Sequence, residues 1–144
     1  QYSVEVRNGK IVLALTESLL FKSGVSNRIE PNGQAALKAI GTLLNANPVL
    51  LIQVLGHTDN QTASRKNQDS WDFTSLRAAT VVRSLIEAQD LGANRVISGG
   101  RGEFDPITSN ETSEGQSRNR RVELSLFFPP EDLQRKITQL AERK

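Results

Sequence analysis

The sequence predicts an α+β domain in which helices are laid against a mixed β-sheet. Three observations predict it. Apolar residues alternate at period two near both ends of the chain, they recur at helical spacing in two segments between, and the continuously apolar run Val49 to Leu55 separates those segments. A parallel β-α-β crossover needs a helix to carry the chain back, so interleaved strands and helices imply helices packed on the sheet.

The elements follow in order. Val4 and Val6 alternate with polar residues, Asn8-Gly9 supplies a tight turn, and Ile11, Leu13 and Leu15 alternate on the return, which predicts a hairpin over residues 1–16. Pro31 suits the first turn of a helix whose Leu37, Ile40 and Leu44 form a buried stripe up to Asn47-Pro48. Val49 to Leu55 is too short and too apolar for a helix and predicts a covered strand that delivers Gly56-His57-Thr58-Asp59-Asn60 at its carboxyl end. After a polar loop, a helix is expected from about Thr74, with Arg77 in its first turn and Ala78, Val81, Val82 and Leu85 on one side. Arg95 to Ser98 predicts a further short strand ending in Gly99-Gly100, and Val122, Leu124 and Leu126 predict another. Leu133, Ile137 and Leu140 mark a tail helix, so the chain divides into a domain over 1–128 and a helical tail over 129–144.

Composition narrows the chemistry. The 144 residues suffice for one core, and no apolar run approaches the roughly 18 residues of a membrane span. Eighteen Lys and Arg against sixteen Asp and Glu leave a net charge of only +2, so no nucleic-acid partner is expected. The absence of Cys excludes thiol catalysis, disulfides and Cys-based zinc sites. The chain begins at Gln1 without an initiator Met or signal peptide and reads as a mature or excised piece. A membrane is therefore expected only through a segment outside it.

His57, two residues from Asp59, invites an acid-base reading, with Thr58, Thr62 and Ser64 as hydroxyls to activate. No nucleophile elbow accompanies it, and a lone His makes a poor metal ligand, so no enzyme, metal or cofactor is expected. His57 is instead expected to hydrogen-bond the loop backbone. Gly99-Gly100-Arg101-Gly102 lacks the following helix that a phosphate-binding turn requires and reads as a plain turn. Trp71 reads as a packing residue at the helix entry rather than a sugar-stacking platform. Arg118, Arg120 and Arg121 either pair with carboxylates or line another ligand's pocket. Asp59 and Arg77 form a structural salt bridge or else grip a zwitterion, the carboxylate taking an ammonium and the guanidinium fork a carboxylate.

The segments GHTDN, SWDFTSLRAATVVRSL, RVISGGRGEFDPITSNET and EGQSRNRRVEL, with LTESLLFKSGVSNRIEPNGQAAL upstream, together resemble the OmpA-like, or OmpA/MotB C-terminal, domain family over about residues 10 to 127. The resemblance implies a β-α-β-α-β-β sheet with helices on one face. It further implies noncovalent binding of peptidoglycan in the bacterial periplasm, through the diaminopimelate of the stem peptide. Asp59 and Arg77 match the positions that hold that residue's head group. Phe21, Ser23, Gly24, Thr58, Ser70, Asn119 and Arg120 match other pocket segments. Ser70, Lys22, Thr62 and Gln116 depart from commoner family residues, and the loop after Asp59 is longer than usual, as in flagellar stator B-subunits. The implied role is to anchor a membrane-attached parent to the wall. A stator-like or secretion-linked machine is the alternative, in which the hairpin and tail helix offer contacts for a homodimer; a wall hydrolase is a more distant one.

Overall fold

The computed structural model describes residues 1–22, 27–61 and 68–143. Strands β1 (Tyr2–Arg7) and β2 (Lys10–Thr16) form the expected hairpin. Asn8 and Gly9 both adopt positive φ, 52° and 74°, the conformation a two-residue type I′ turn demands and Asn-Gly tolerates. The chain then makes one helical turn, α1 (Glu17–Leu20), before helix α2 (Pro31–Ala46). Strand β3 (Leu51–His57), helix α3 (Ser70–Gln89) and strand β4 (Val96–Gly100) follow. A short helix α4 (Ser113–Asn119), strand β5 (Arg121–Phe127) and helix α5 (Pro130–Glu142) complete the order.

The five strands lie in the order β1-β2-β5-β3-β4, with β3 and β4 parallel and the other pairs antiparallel. The mixed sheet and its helices agree with the predicted class. Leu15, Ile52, Val54, Val122, Leu124 and Leu126 face α2 and α3, where Leu37, Leu44, Val81 and Leu85 complete a single core. Period two sends Arg121, Glu123 and Ser125 of β5 to the opposite face, yet all three are buried. At Gly56 a Cβ atom would lie 2.1 Å from the Thr74 carbonyl oxygen. Only glycine lets α3 sit this close to the end of β3.

Several boundaries differ from the sequence reading. The turn after α2 runs to Leu50, whose N–H donates to the Asn47 carbonyl, so β3 starts later and extends through His57. Helix α3 starts at Ser70 rather than near Thr74, because the Asp69 side chain caps it by accepting the Asp72 N–H at 2.8 Å. Arg77 therefore stands seven residues into the helix (77 − 70), not in its first turn. Arg95 belongs to a 3₁₀ turn and not to a strand; its guanidinium donates to the Leu44, Asn47 and Leu50 carbonyls and satisfies the end of α2. Helices α1 and α4 are too short to leave a periodic signal. In α5, Leu133, Ile137 and Leu140 stand exposed. Among the described residues no helix is long and apolar enough to cross a membrane.

Candidate functional site

The carboxyl end of β3 is fastened to its neighbours by backbone and hydroxyl bonds. Arg101 N–H donates to the Gly56 carbonyl at 2.9 Å, and Thr58 N–H donates to that of Gly102 at 3.1 Å. Gly102 N–H in turn donates to Thr74 Oγ1 at 3.0 Å, and that hydroxyl donates to the Ser70 carbonyl at 2.7 Å. The exits of β3 and β4 and the start of α3 thus form one rigid rim. Thr58 and Ser70 are both buried within it.

Asp59 leaves the rim pointing inward and is only 2% exposed. Its Oδ1 accepts the Gln61 N–H at 3.0 Å, an Asx turn that fixes the side chain, and its Oδ2 accepts Arg120 Nη1 at 2.6 Å. Arg77, 4% exposed, lies between two aromatic rings, its guanidinium carbon 4.0 Å from the Phe21 centroid and 4.7 Å from that of Phe73. Glu17, from α1, joins the two halves: its Oε1 is 3.8 Å from Arg77 Nη2 and its Oε2 is 3.6 Å from Arg120 Nε. The charges run Asp59, Arg120, Glu17, Arg77, alternating in sign.

From the sequence, Asp59 and Arg77 read as a direct salt bridge or as a joint grip on a zwitterion. The structure instead sets Arg120 and Glu17 between them. A cavity of about 10 Å³, room for one water, reaches Arg77 with Glu17, Phe21, His57 and Phe73 in its wall. A second, of about 130 Å³, opens beyond Glu17 and Phe21 and is lined by Ser18, Lys22, Ser117 and Arg120. Glu17 and Phe21 form the partition between them.

The remaining predicted residues divide. Phe21 and Arg120 join the site as described. Asn119 does not: it is fully buried, its Oδ1 accepts the N–H groups of Ile107 and Thr108, and its Nδ2 donates to Thr108 O and Asn110 Oδ1. All four of its hydrogen-bonding positions are used to hold the 107–110 loop. Ser23 and Gly24, and the hydroxyls of Thr62 and Ser64, lie outside the described residues. Sequence reasoning missed Glu17 and Phe73. Phe73 could have been found, since it falls on the same helix face as Arg77 and Ala78; nothing in the sequence distinguishes Glu17 from a surface carboxylate.

Arg120 and Arg121 both pair with carboxylates, the first with Asp59 and Glu17, the second with Glu123 at 2.9 Å. Arg121 also donates to the Asn119 and Asp105 carbonyls, and Arg7 donates to Glu123 at 3.0 Å. Burial by itself raises the Glu123 pKa, but the Arg121 charge, His57 and the hydrogen bonds from Arg121 and Arg7 outweigh it and hold the group below the usual carboxylate value. Burial lowers the pKa of Arg121.

His57 does not hydrogen-bond the loop backbone as expected. Neither ring nitrogen has a hydrogen-bond partner among the described residues, and Nε2 lies 3.6 Å from Glu123 Oε2. Burial, reinforced by the Arg121 charge and opposed by Glu123, pushes its pKa down to about 4, so the imidazole is neutral at pH 7. Among the described residues no cluster of His, Cys, Asp or Glu could hold a metal. Gly99 and Gly100, read as part of a plain turn, instead end β4, paired with Leu55 and Gly56; the chain turns only after them, with Gly102 at φ 62°. Trp71 stands in the first turn of α3, as a helix-entry residue, but its packing partner is Phe104 on the surface, ring centroids 5.1 Å apart.

The OmpA family model matches residues 20–120 of the chain. Motility protein B of Bacillus subtilis is 34% identical over 128 residues, 88% of this chain and 49% of that protein. The peptidoglycan-binding protein ArfA of Mycobacterium tuberculosis is 30% identical over 94 residues, 65% of this chain and 28% of that one. The chain spans about half the length, or less, of these sequence relatives. Among solved structures, the periplasmic domain of Helicobacter pylori MotB superposes with a TM-score of 0.83 at 22% identity, covering 99% of this chain and 92% of that one. The cell wall anchor of the Pseudomonas aeruginosa T6SS gives 0.78 at 27% identity, covering 89% and 88%.

Proposed function

Because the chain belongs to the OmpA family, we propose that it binds peptidoglycan noncovalently and anchors a membrane-attached parent protein to the bacterial cell wall. Relatives named as a peptidoglycan-binding protein and a cell wall anchor support this reading, and a periplasmic setting follows from it. The observation that carries the mechanism is the alternating chain Asp59, Arg120, Glu17, Arg77. The guest is a zwitterionic amino-acid head group, diaminopimelate in the stem peptide. Its ammonium takes the place of the Arg120 guanidinium on Asp59, and its carboxylate takes the place of Glu17 at Arg77.

Such an exchange replaces ion pair by ion pair. A buried charge stripped of its partner costs several kcal/mol, so a site that keeps its own charges paired until a guest arrives stays folded when empty. Arg120 and Glu17 swing aside, and with them the partition between the two cavities. Affinity per site is modest because the guest gains little beyond what the resident partners lose. Repetition of the ligand along a polymer, presented to a tethered domain, supplies the rest through effective concentration. The grip needs no turnover. The likeness to motor and secretion-system domains favours a load-bearing machine as the parent.

Co-sedimentation with purified sacculi tests the reading. Wild-type protein is expected in the pellet without release of soluble fragments, and Arg77→Ala, with retained far-UV CD, in the supernatant. Fragment release would instead indicate a hydrolase, and unchanged binding of Arg77→Ala would remove the clamp.

A further inference from the structure

Two large aromatic side chains stand in solvent on the rim of this site. Trp71 is 47% exposed and Phe104 58% exposed, and their rings stack at 5.1 Å with 25° between planes. Neither contributes to the core. Phe104 is held on a turn that its own N–H closes by donating to the Arg101 carbonyl, and Trp71 is fixed by the first turn of α3. The stacked rings shield one another in part, which lowers the cost of keeping them in water. The stack covers one face of each ring, leaving others to a ligand.

We propose that Trp71 and Phe104 form a stacking platform for a pyranose ring of the glycan strand, next to the charge chain that takes the peptide. The inference rests on the peptidoglycan reading above and deepens it. Pyranose rings present a face of axial C–H bonds, weakly positive against the negative face of an aromatic ring. The polar edge of the sugar needs hydrogen-bonding groups beside that face. Arg101 and Asp105, both half-exposed and 3.6 Å apart, flank Phe104 and supply them.

Position supports the assignment. Thr58, adjacent to Asp59, is bonded to the Gly102 carbonyl, and Phe104 is two residues further on. At no more than about 3.8 Å per residue step, and with the chain turning at Phe104, this path places the platform backbone within about 15 Å of Asp59. Three residues of extended peptide span about 10 Å, so a stem peptide held by its third residue puts its parent sugar within reach of the platform.

Trp71 is the single tryptophan in the sequence, so its fluorescence reports this surface alone. The experiment compares a free stem peptide with the same peptide carried on its disaccharide. The disaccharide form is expected to bind about tenfold tighter and to change the Trp71 emission, while the free peptide does neither. Trp71→Ala and Phe104→Ala are expected to erase the tenfold difference and leave the affinity for free peptide unchanged. Equal affinities for the two ligands, or variants that weaken both equally, would overturn the platform while leaving the peptide clamp standing. If neither ligand binds, the peptidoglycan reading falls and the platform with it. Thermal unfolding of both variants separates loss of the surface from loss of the fold.

Discussion

Arg120 donates to the buried carboxylate of Asp59 at 2.6 Å across 61 residues of sequence, so the position predicted to receive a ligand ammonium already holds a cation. Resident partner and ligand compete. Asp59→Asn keeps the shape of the side chain and the bond from the Gln61 N–H but removes the charge, and is expected to abolish sedimentation with sacculi. Arg120→Ala removes the competitor and also leaves Asp59 without its cation, a loss of roughly 1–3 kcal/mol in folding free energy. Urea unfolding of both single variants and the double variant gives the coupling; if the two changes simply add, the pair contributes nothing to the fold.

Arg77→Lys keeps the charge and loses both the planar fork and the stacking between Phe21 and Phe73. A lysine is a point cation with no flat face to fill the space between two rings. Sacculus affinity is expected to fall at least tenfold, with about 1–2 kcal/mol of stability lost from the vacated stack. Retention of wild-type affinity by the lysine variant would show that charge alone suffices at this position. The same variant tests the role of Glu17, which loses its neighbour when the shorter ammonium recedes.

The sheet was legible in the sequence where side chains alternate or recur: β1, β2, the apolar middle of β3, β5 and the stripes of α2 and α3 all announce themselves by period. Asp59 and Arg77 are singled out in the sequence by the motifs that carry them. What period cannot show is an arrangement made by a single hydrogen bond or by distant contact. The Asp69 cap moved the start of α3 by four residues from Thr74 to Ser70 (74 − 70), and so changed the turn in which Arg77 lies. Glu17 enters the site only because one turn of helix follows β2, and α1 is too short to have a period. Asn119 is marked by its motif position, whereas the four hydrogen bonds that employ it lie in a loop around 107–110 whose path no local pattern specifies.

That employment gives Asn119 a different phenotype from Asp59. Asn119→Ala would remove the side chain that accepts the part-buried N–H groups of Ile107 and Thr108 and donates to Thr108 O and Asn110 Oδ1, at a cost of about 1–3 kcal/mol. The expected result is a lower urea midpoint with unchanged sacculus binding per folded molecule at low temperature. A variant that folds as well as wild type but fails to bind would return Asn119 to the ligand site.

His57 supplies a pH dependence whose sign follows from its burial. Its pKa is about 4 in the fold against an ordinary value of 6.5, so as pH falls the unfolded chain takes up the proton first. Stability is therefore full above about pH 6.5 and declines as pH drops toward 4; between pH 7 and pH 5 the loss is about 2 kcal/mol. Glu123 has the opposite charge logic and a lower window: held below its ordinary 4.5, it stabilises the fold above that pH and gives up its contribution only as pH falls further. Because His57 is the single histidine in the sequence, the interval from pH 7 to pH 5 isolates it from the carboxylates. His57→Leu replaces a ring that makes no hydrogen bond among the described residues by an apolar side chain and removes the titration. Urea unfolding free energies at the two pH values are expected to differ by about 2 kcal/mol in wild type and by less than half of that in the variant. Equal slopes in the two proteins would mean that the imidazole protonates as readily in the fold as in the unfolded chain, and that the Glu123 carboxylate, 3.6 Å away, compensates for burial.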